Sequence, residues 1–121
     1  MQLSLTSQND DAICVAAQGD ISQSRFPANV NNPLEDLLGA ECYQRRVLLD
    51  LEKTGYIDSS GIGWLMGCHK RFLASGGLLV LHSLPPMVEQ VVQLLRLQSI
   101  LTIKPDQASA LALVSQVKGQ S

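Results

Sequence analysis

Two short apolar runs, Val47-Leu48-Leu49 leading into Leu51 and Leu78-Leu79-Val80-Leu81, bracket a segment in which Ile62, Leu65, Met66, His69, Phe72 and Leu73 recur at helical spacing. Each run is nearly free of polar side chains. That is the pattern of a strand covered on both faces, and such strands belong to parallel sheets. Parallel neighbours cannot be joined by a hairpin; they need a crossover, which the helix-period segment supplies. The same order repeats downstream. Pro86 opens a helix with Val88, Val91, Val92 and Leu95 on one face, and Leu101 to Ile103 reads as a short strand. Pro105 and Asp106 start a last helix with Ala110, Leu113, Val114 and Val117 inward. Strand, helix, strand, helix, strand implies right-handed crossovers.

Upstream of Arg46 the pattern is different. Leu3 to Ser7 alternates apolar and polar residues, Ile13 to Ala17 is apolar, and Asn9-Asp10-Asp11 between them reads as a hairpin turn. Gly19-Asp20 ends the second strand. Ser22 to Pro33 is irregular, and Leu34, Leu37 and Leu38 suggest a short helix closed by Gly39. The expected fold is a single α/β domain over residues 1–121. Its mixed sheet has four to five strands, with parallel strand–helix–strand units, an antiparallel edge and about four helices.

Composition limits the function. With 121 residues and 45% hydrophobic content the chain is large enough to bury a core. Nine basic and eleven acidic residues give a net charge of −2, without a basic patch for nucleic acid. Cys14, Cys42 and Cys68 are an odd number without metal-ligand spacing, so reduced, buried thiols and no metal or cofactor are expected. No signal peptide opens the chain and no apolar run reaches ~18 residues, which suggests a soluble cytoplasmic protein with no membrane partner.

The chemistry concentrates in Tyr56-Ile57-Asp58-Ser59-Ser60-Gly61-Ile62-Gly63, where a strand hands over to a helix. A helix start has unpaired N–H groups and a partial positive charge, and Asp, Ser and Gly are the types that cap it. A cap accounts for one Asp or Ser. It does not account for Gly61 and Gly63, each costing ~1 kcal/mol against alanine in a helix; a close approach by another backbone would justify them. At ~100° per residue, Ser60, Trp64, Gly67 and Arg71 project opposite the apolar stripe, which places Trp64, the only tryptophan, toward solvent. Trp and Arg are enriched at interface hot spots, so this face reads as a docking surface.

The stretch resembles the signature of the STAS domain, the family of bacterial anti-sigma factor antagonists. The resemblance rests on Asp58-Ser59-Ser60-Gly61-Ile62-Gly63 after a strand. It continues through Ser75-Gly76-Gly77-Leu78-Leu79-Val80-Leu81 and Ser83-Leu84-Pro85-Pro86-Met87-Val88, and runs from about Arg46 to Leu113. It implies the same mixed α/β architecture. It also implies that Ser59, the first serine of the motif, is phosphorylated by a serine kinase that is itself the anti-sigma factor. The unmodified antagonist binds this kinase and frees a sigma factor, and a serine phosphatase restores the unmodified form. A monomer or weak dimer is expected. Family strands usually end in Gly-Glu/Asp-aliphatic-Asp at the position of Gly19-Asp20-Ile21-Ser22, and the loop that follows lies beside the phosphorylated serine, so Asp20 and Ser22 join the partner-binding set. Ser22 replaces the usual acidic residue, and Arg96-Leu97 replaces a usual small residue plus glycine.

Other classes fit less well. A serine hydrolase elbow needs Gly-x-Ser-x-Gly, and Ile57 stands where the first glycine belongs. Of the two possible bases, His69 falls on the apolar stripe and His82 ends a strand at a loop edge, so no enzyme is expected. A ligand- or nucleotide-binding module lacks a Gly-x-x-x-x-Gly-Lys run. A scaffold STAS domain of a larger signalling assembly remains the alternative within the family.

Overall fold

The computed structural model describes residues 2–8, 12–21 and 33–119; the turn at 9–11 and the segment 22–32, with Ser22, lie outside them. Five strands form one sheet in sequential order: β1 (Gln2–Gln8), β2 (Ile13–Gln18), β3 (Arg46–Lys53), β4 (Leu78–His82) and β5 (Thr102–Lys104). β1 is antiparallel to β2, with a bulge between Leu5 and Ser7, and β2 to β5 are mutually parallel. The described helices are α1 (Pro33–Leu38), α2 (Ser59–Ala74), α3 (Pro86–Leu94) and α4 (Gln107–Gly119). A 3-10 turn, Ala40–Gln44, follows α1, and a second, Leu97–Ser99, follows α3. This is the mixed five-stranded α/β architecture that the residue pattern implies.

The register explains the unbroken apolar runs. Val15, Leu49 and Leu81 stand side by side on adjacent strands, as do Cys14, Leu48 and Val80 one residue earlier. Successive side chains leave a strand on opposite faces. The first row enters the larger core with Leu34 of α1, Ile62 and Phe72 of α2, and Val88 of α3. The second row meets Ala110 and Val114 of α4. Three helices thus cover one face and α4 covers the other, which is why residues 47–49 of β3 and 78–81 of β4 are hydrophobic at successive positions. Cys14, Cys42 and Cys68 are all buried free thiols.

Turn chemistry follows the sequence in most places. Gly39 after α1 and Gly76 after α2 take positive φ, near 89° and 90°, where glycine carries no Cβ penalty. After α3 there is no glycine; Arg96 itself adopts the left-handed conformation, with φ of 56°. Asp106 caps α4, its Oδ1 accepting from the Ser109 N–H at 2.8 Å.

Two expectations about the core are corrected. Leu73, assigned to the apolar stripe of α2, is 55% exposed, whereas Gly61 and Cys68 are buried. The buried arc of α2 is rotated by about 60° from the stripe read off the sequence. His82 does end β4, but it is enclosed rather than at a loop edge, with 1% of its surface accessible. Its Nδ1 lies 2.8 Å from the Ser83 hydroxyl, and Ser83 has a positive φ of 59°.

Burial pushes the His82 pKa below its ordinary value, partly opposed by Asp50, Asp106 and Glu52. The folded state therefore holds a neutral imidazole where the unfolded chain takes up a proton near pH ~6.5. Stability due to this group is complete above that pH and is lost as pH falls through the window below it. Urea unfolding of the wild type should show stability declining from pH 7 toward acid, and His82→Gln should flatten the slope in that window. An unchanged slope in the variant counts against His82 as its source.

Candidate partner-binding site

The candidate site is built where β2 and β3 end. Beyond Gln18 the chain keeps company with the segment that follows β3. The Gly19 N–H donates to the Lys53 carbonyl at 3.1 Å and the Ile21 N–H to the Tyr56 carbonyl at 2.9 Å. Ile21 and Ile57 form a parallel bridge, and the Asp58 N–H reaches the Ile21 carbonyl at 3.4 Å. Both isoleucines are buried. Asp20 is half-buried, its Oδ1 3.6 Å from where a Cβ on Gly55 would be.

Asp58 is the N-cap of α2. Its Oδ1 accepts from the Gly61 N–H at 2.8 Å and from the Ser60 hydroxyl at 2.6 Å. Its carbonyl accepts the first helical bond, from Ile62, at 2.9 Å. The carboxylate thus meets one of the orphan donors of the helix start and anchors the second serine. Ser59 differs from Ser60. Its side chain is exposed, and among the described residues nothing hydrogen-bonds its hydroxyl. The two neighbouring serines are distinct, one tied down and one presented.

The two glycines also separate. A Cβ on Gly61 would collide with the backbone carbonyl of Ile21, whereas one on Gly63 would meet nothing within 4 Å. The close approach inferred from the sequence is therefore made inside this chain at Gly61. Gly63 faces open space, as does Gly67.

Trp64 is the main correction to the site. It is only 6% exposed and belongs to the larger core, not to a solvent-facing surface. Arg71, two helical turns on, lies on the same flank and is engaged there. Its guanidinium lies 4.3 Å from the Tyr43 ring centroid and 3.1 Å from Glu35 Oε1. The 3-10 turn and α1 cover the flank of α2 that periodicity alone gives to solvent. Tyr43 in turn packs edge-on against Phe72, with centroids 5.1 Å apart. Burial, and then Glu35, hold the Tyr43 phenol protonated well above its ordinary range. Because the Arg71 side chain is 59% exposed, its ion pair contributes at most ~1 kcal/mol; its place in the cluster is chiefly packing over Tyr43.

The expected site residues therefore fall into two groups. Asp20, Asp58, Ser59, Ser60 and Gly61 are brought together at the strand ends, while Trp64 belongs to the core and Arg71 to the cluster with Glu35 and Tyr43. Glu35 and Tyr43, which complete the Arg71 cluster, carry no local sequence signal, since the contact joins elements distant in the chain. His69 is buried in α2, about 15 Å from Ser59 along the helix axis by rise alone. Among the described residues no group of three or more His, Cys, Asp or Glu side chains is placed to hold a metal ion.

Two substitutions separate these roles. Trp64→Ala should cost ~3–5 kcal/mol of folding stability, as removal of a core aromatic does. A loss within ~0.5 kcal/mol would return Trp64 to the surface. Gly61→Ala should cost ~1–3 kcal/mol or more through the forced shift at Ile21. Gly63→Ala, with room for its methyl, should be neutral or stabilising by up to ~1 kcal/mol. Equal denaturant midpoints for the two glycine variants would contradict the packing described for Gly61.

Comparison with known proteins places this geometry. Several solved structures share the fold. A candidate anti-sigma factor antagonist from Thermotoga maritima is 23% identical, with a TM-score of 0.74 over 90% of this chain and 92% of its own. An anti-sigma factor antagonist from Mycobacterium paratuberculosis is 20% identical, with a TM-score of 0.69 over 94% and 95%. The Bacillus cell fate determinant SpoIIAA in its phosphorylated form is 17% identical, with a TM-score of 0.60 over 93% and 98%. SpoIIAA, an anti-sigma factor antagonist, has also been solved unphosphorylated. The STAS domain model matches residues 5–110, which takes in every strand except the first residues of β1 and the whole Asp58–Gly63 motif. The chain belongs to the STAS domain family.

Proposed function

We propose that this protein is an anti-sigma factor antagonist that docks through the start of α2 and is switched by phosphorylation of Ser59. Its partners are an anti-sigma factor that is also a serine kinase, and a serine phosphatase that reverses the modification. The observation that carries this reading is the contrast between the serines. Ser59 presents a hydroxyl that nothing among the described residues engages, while Ser60 donates to Asp58. A kinase can reach the first without breaking the cap. The structural neighbours described as antagonists, and the existence of SpoIIAA in phosphorylated and unphosphorylated forms, support the same role. Docking then involves Asp20, Asp58, Ser59 and the open track past Gly63, with Ser22 as a further contact.

The energetics suit a switch. A phosphate adds about −1.5 to −2 charge. At the helix start it gains ~0.3–1 kcal/mol from the macrodipole. Beside the Asp58 carboxylate, at ~5 Å, repulsion runs from ~2 to ~7 kcal/mol as the effective dielectric falls from ~80 to ~20. The free protein, in water, sits at the low end. A closed interface sits at the high end and must also desolvate the phosphate, so the complex is weakened more than the fold.

The cognate serine kinase with ATP should add one phosphate to the wild type and to Ser60→Ala, and none to Ser59→Ala, by intact mass and fragment spectra. Ser59→Asp should fail to hold the kinase under conditions where the wild type does. A phosphate mapped to Ser60 would refute the assignment.

A further inference from the structure

A concave feature lies away from the Asp58–Gly63 motif, between α3 and the edge strand β5. It is a cleft of about 350 Å³. Leu84, Val92 and Ile103 line it with hydrocarbon, and Val92 is buried. Two charges of opposite sign line it as well: Glu89 from the first turn of α3 and Lys104 from the end of β5. Among the described residues neither takes part in an ion pair. The amides of Gln93 and Gln98 complete the polar lining.

This combination selects a ligand class. An apolar surface with one cation and one anion, left unpaired with each other, is complementary to a small molecule that carries both charges on a hydrocarbon body. The volume lies at the lower end of the ~300–1,000 Å³ range of small-molecule sites. A nucleoside di- or triphosphate is a poor fit, since its several negative charges would face one lysine with a glutamate beside it. A fatty acid would leave Glu89 uncompensated.

We propose that the α3–β5 cleft binds a small zwitterion with an apolar side chain, of the class of the branched-chain α-amino acids. The carboxylate is held by Lys104, the ammonium by Glu89, and the side chain lies on Leu84, Val92 and Ile103. The proposal is independent of the docking role of Ser59, because the two sites share no residue.

The test is titration of the full, isotopically labelled chain with L-leucine, followed by the side-chain amide signals of Gln93 and Gln98 in nitrogen–proton correlation spectra. Saturable shifts centred on these amides are expected. In the same assay 4-methylpentanoate, which lacks the ammonium, and 3-methylbutylamine, which lacks the carboxylate, should each bind about tenfold more weakly, the scale of one lost charge-assisted contact. Lys104→Gln should remove the preference for leucine over the amine, and Glu89→Gln its preference over the acid. Glu89 is exposed and Lys104 half-buried, neither in an ion pair among the described residues, and circular dichroism melts of the variants should match the wild type. The proposal is overturned if leucine gives no saturable shift, if either analogue binds the wild type as well as leucine does, or if both variants keep the full preference.

Discussion

The approach of the Ile21 carbonyl to the first turn of α2 is the contact on which the rest of the site depends. It is possible only because residue 61 has no side chain. A carbonyl carried beyond the end of β2 accepts the N–H of Asp58, and Asp58 caps the helix that begins next to it. Strand end, loop and helix start are thereby joined through backbone groups, which change little with surface substitution. The exposed Ser59 is held on that base. Its position relative to the sheet is set by Ile21, Ile57 and Gly61, all buried, not by its own side chain.

A second set of contacts fixes the roll of α2. Arg71 lies over Tyr43 and beside Glu35, Tyr43 packs against Phe72, and Trp64 is enclosed on the same flank. These contacts give α2 a defined rotation about its axis. The exposed line that results runs through Ser59, Gly63 and Gly67 rather than through Trp64.

Much of the fold is legible in the sequence because periodicity reports burial directly. The unbroken runs of β3 and β4 announced two covered faces, and α4 on one side with α1 to α3 on the other are the covers. Gly39 and Gly76 marked helix ends because each needs positive φ. The capping role of Asp58 was legible from residue type and position alone. The rotation of α2 was not. Periodicity finds the centre of an apolar stripe, but a helix flanked by a second helix has a wider buried arc, and Gly61 and Cys68 add little weight to a hydrophobic pattern. Trp64 and Arg71 then looked outward: Arg71 is engaged by Glu35 and Tyr43, whose pairing is a tertiary fact, and Trp64 is buried in the larger core. The enclosure of His82 was missed for a similar reason: a polar residue at a strand end reads as an edge until the neighbouring strand and helix start are placed over it.

The sequential strand order has a consequence for how this molecule meets others. In doubly wound sheets the order reverses, helices leave on opposite faces, and a crevice opens at the topological switch point, where ligands settle. Here the order from β1 to β5 never reverses, and α1, α2 and α3 stay on one face. No switch point exists among the described strands. Among the described strands, the start of α2 at the carboxyl ends of β2 and β3 is therefore not set in a switch-point crevice. A cleft of small-molecule dimensions lies instead at the lateral edge, beside β5.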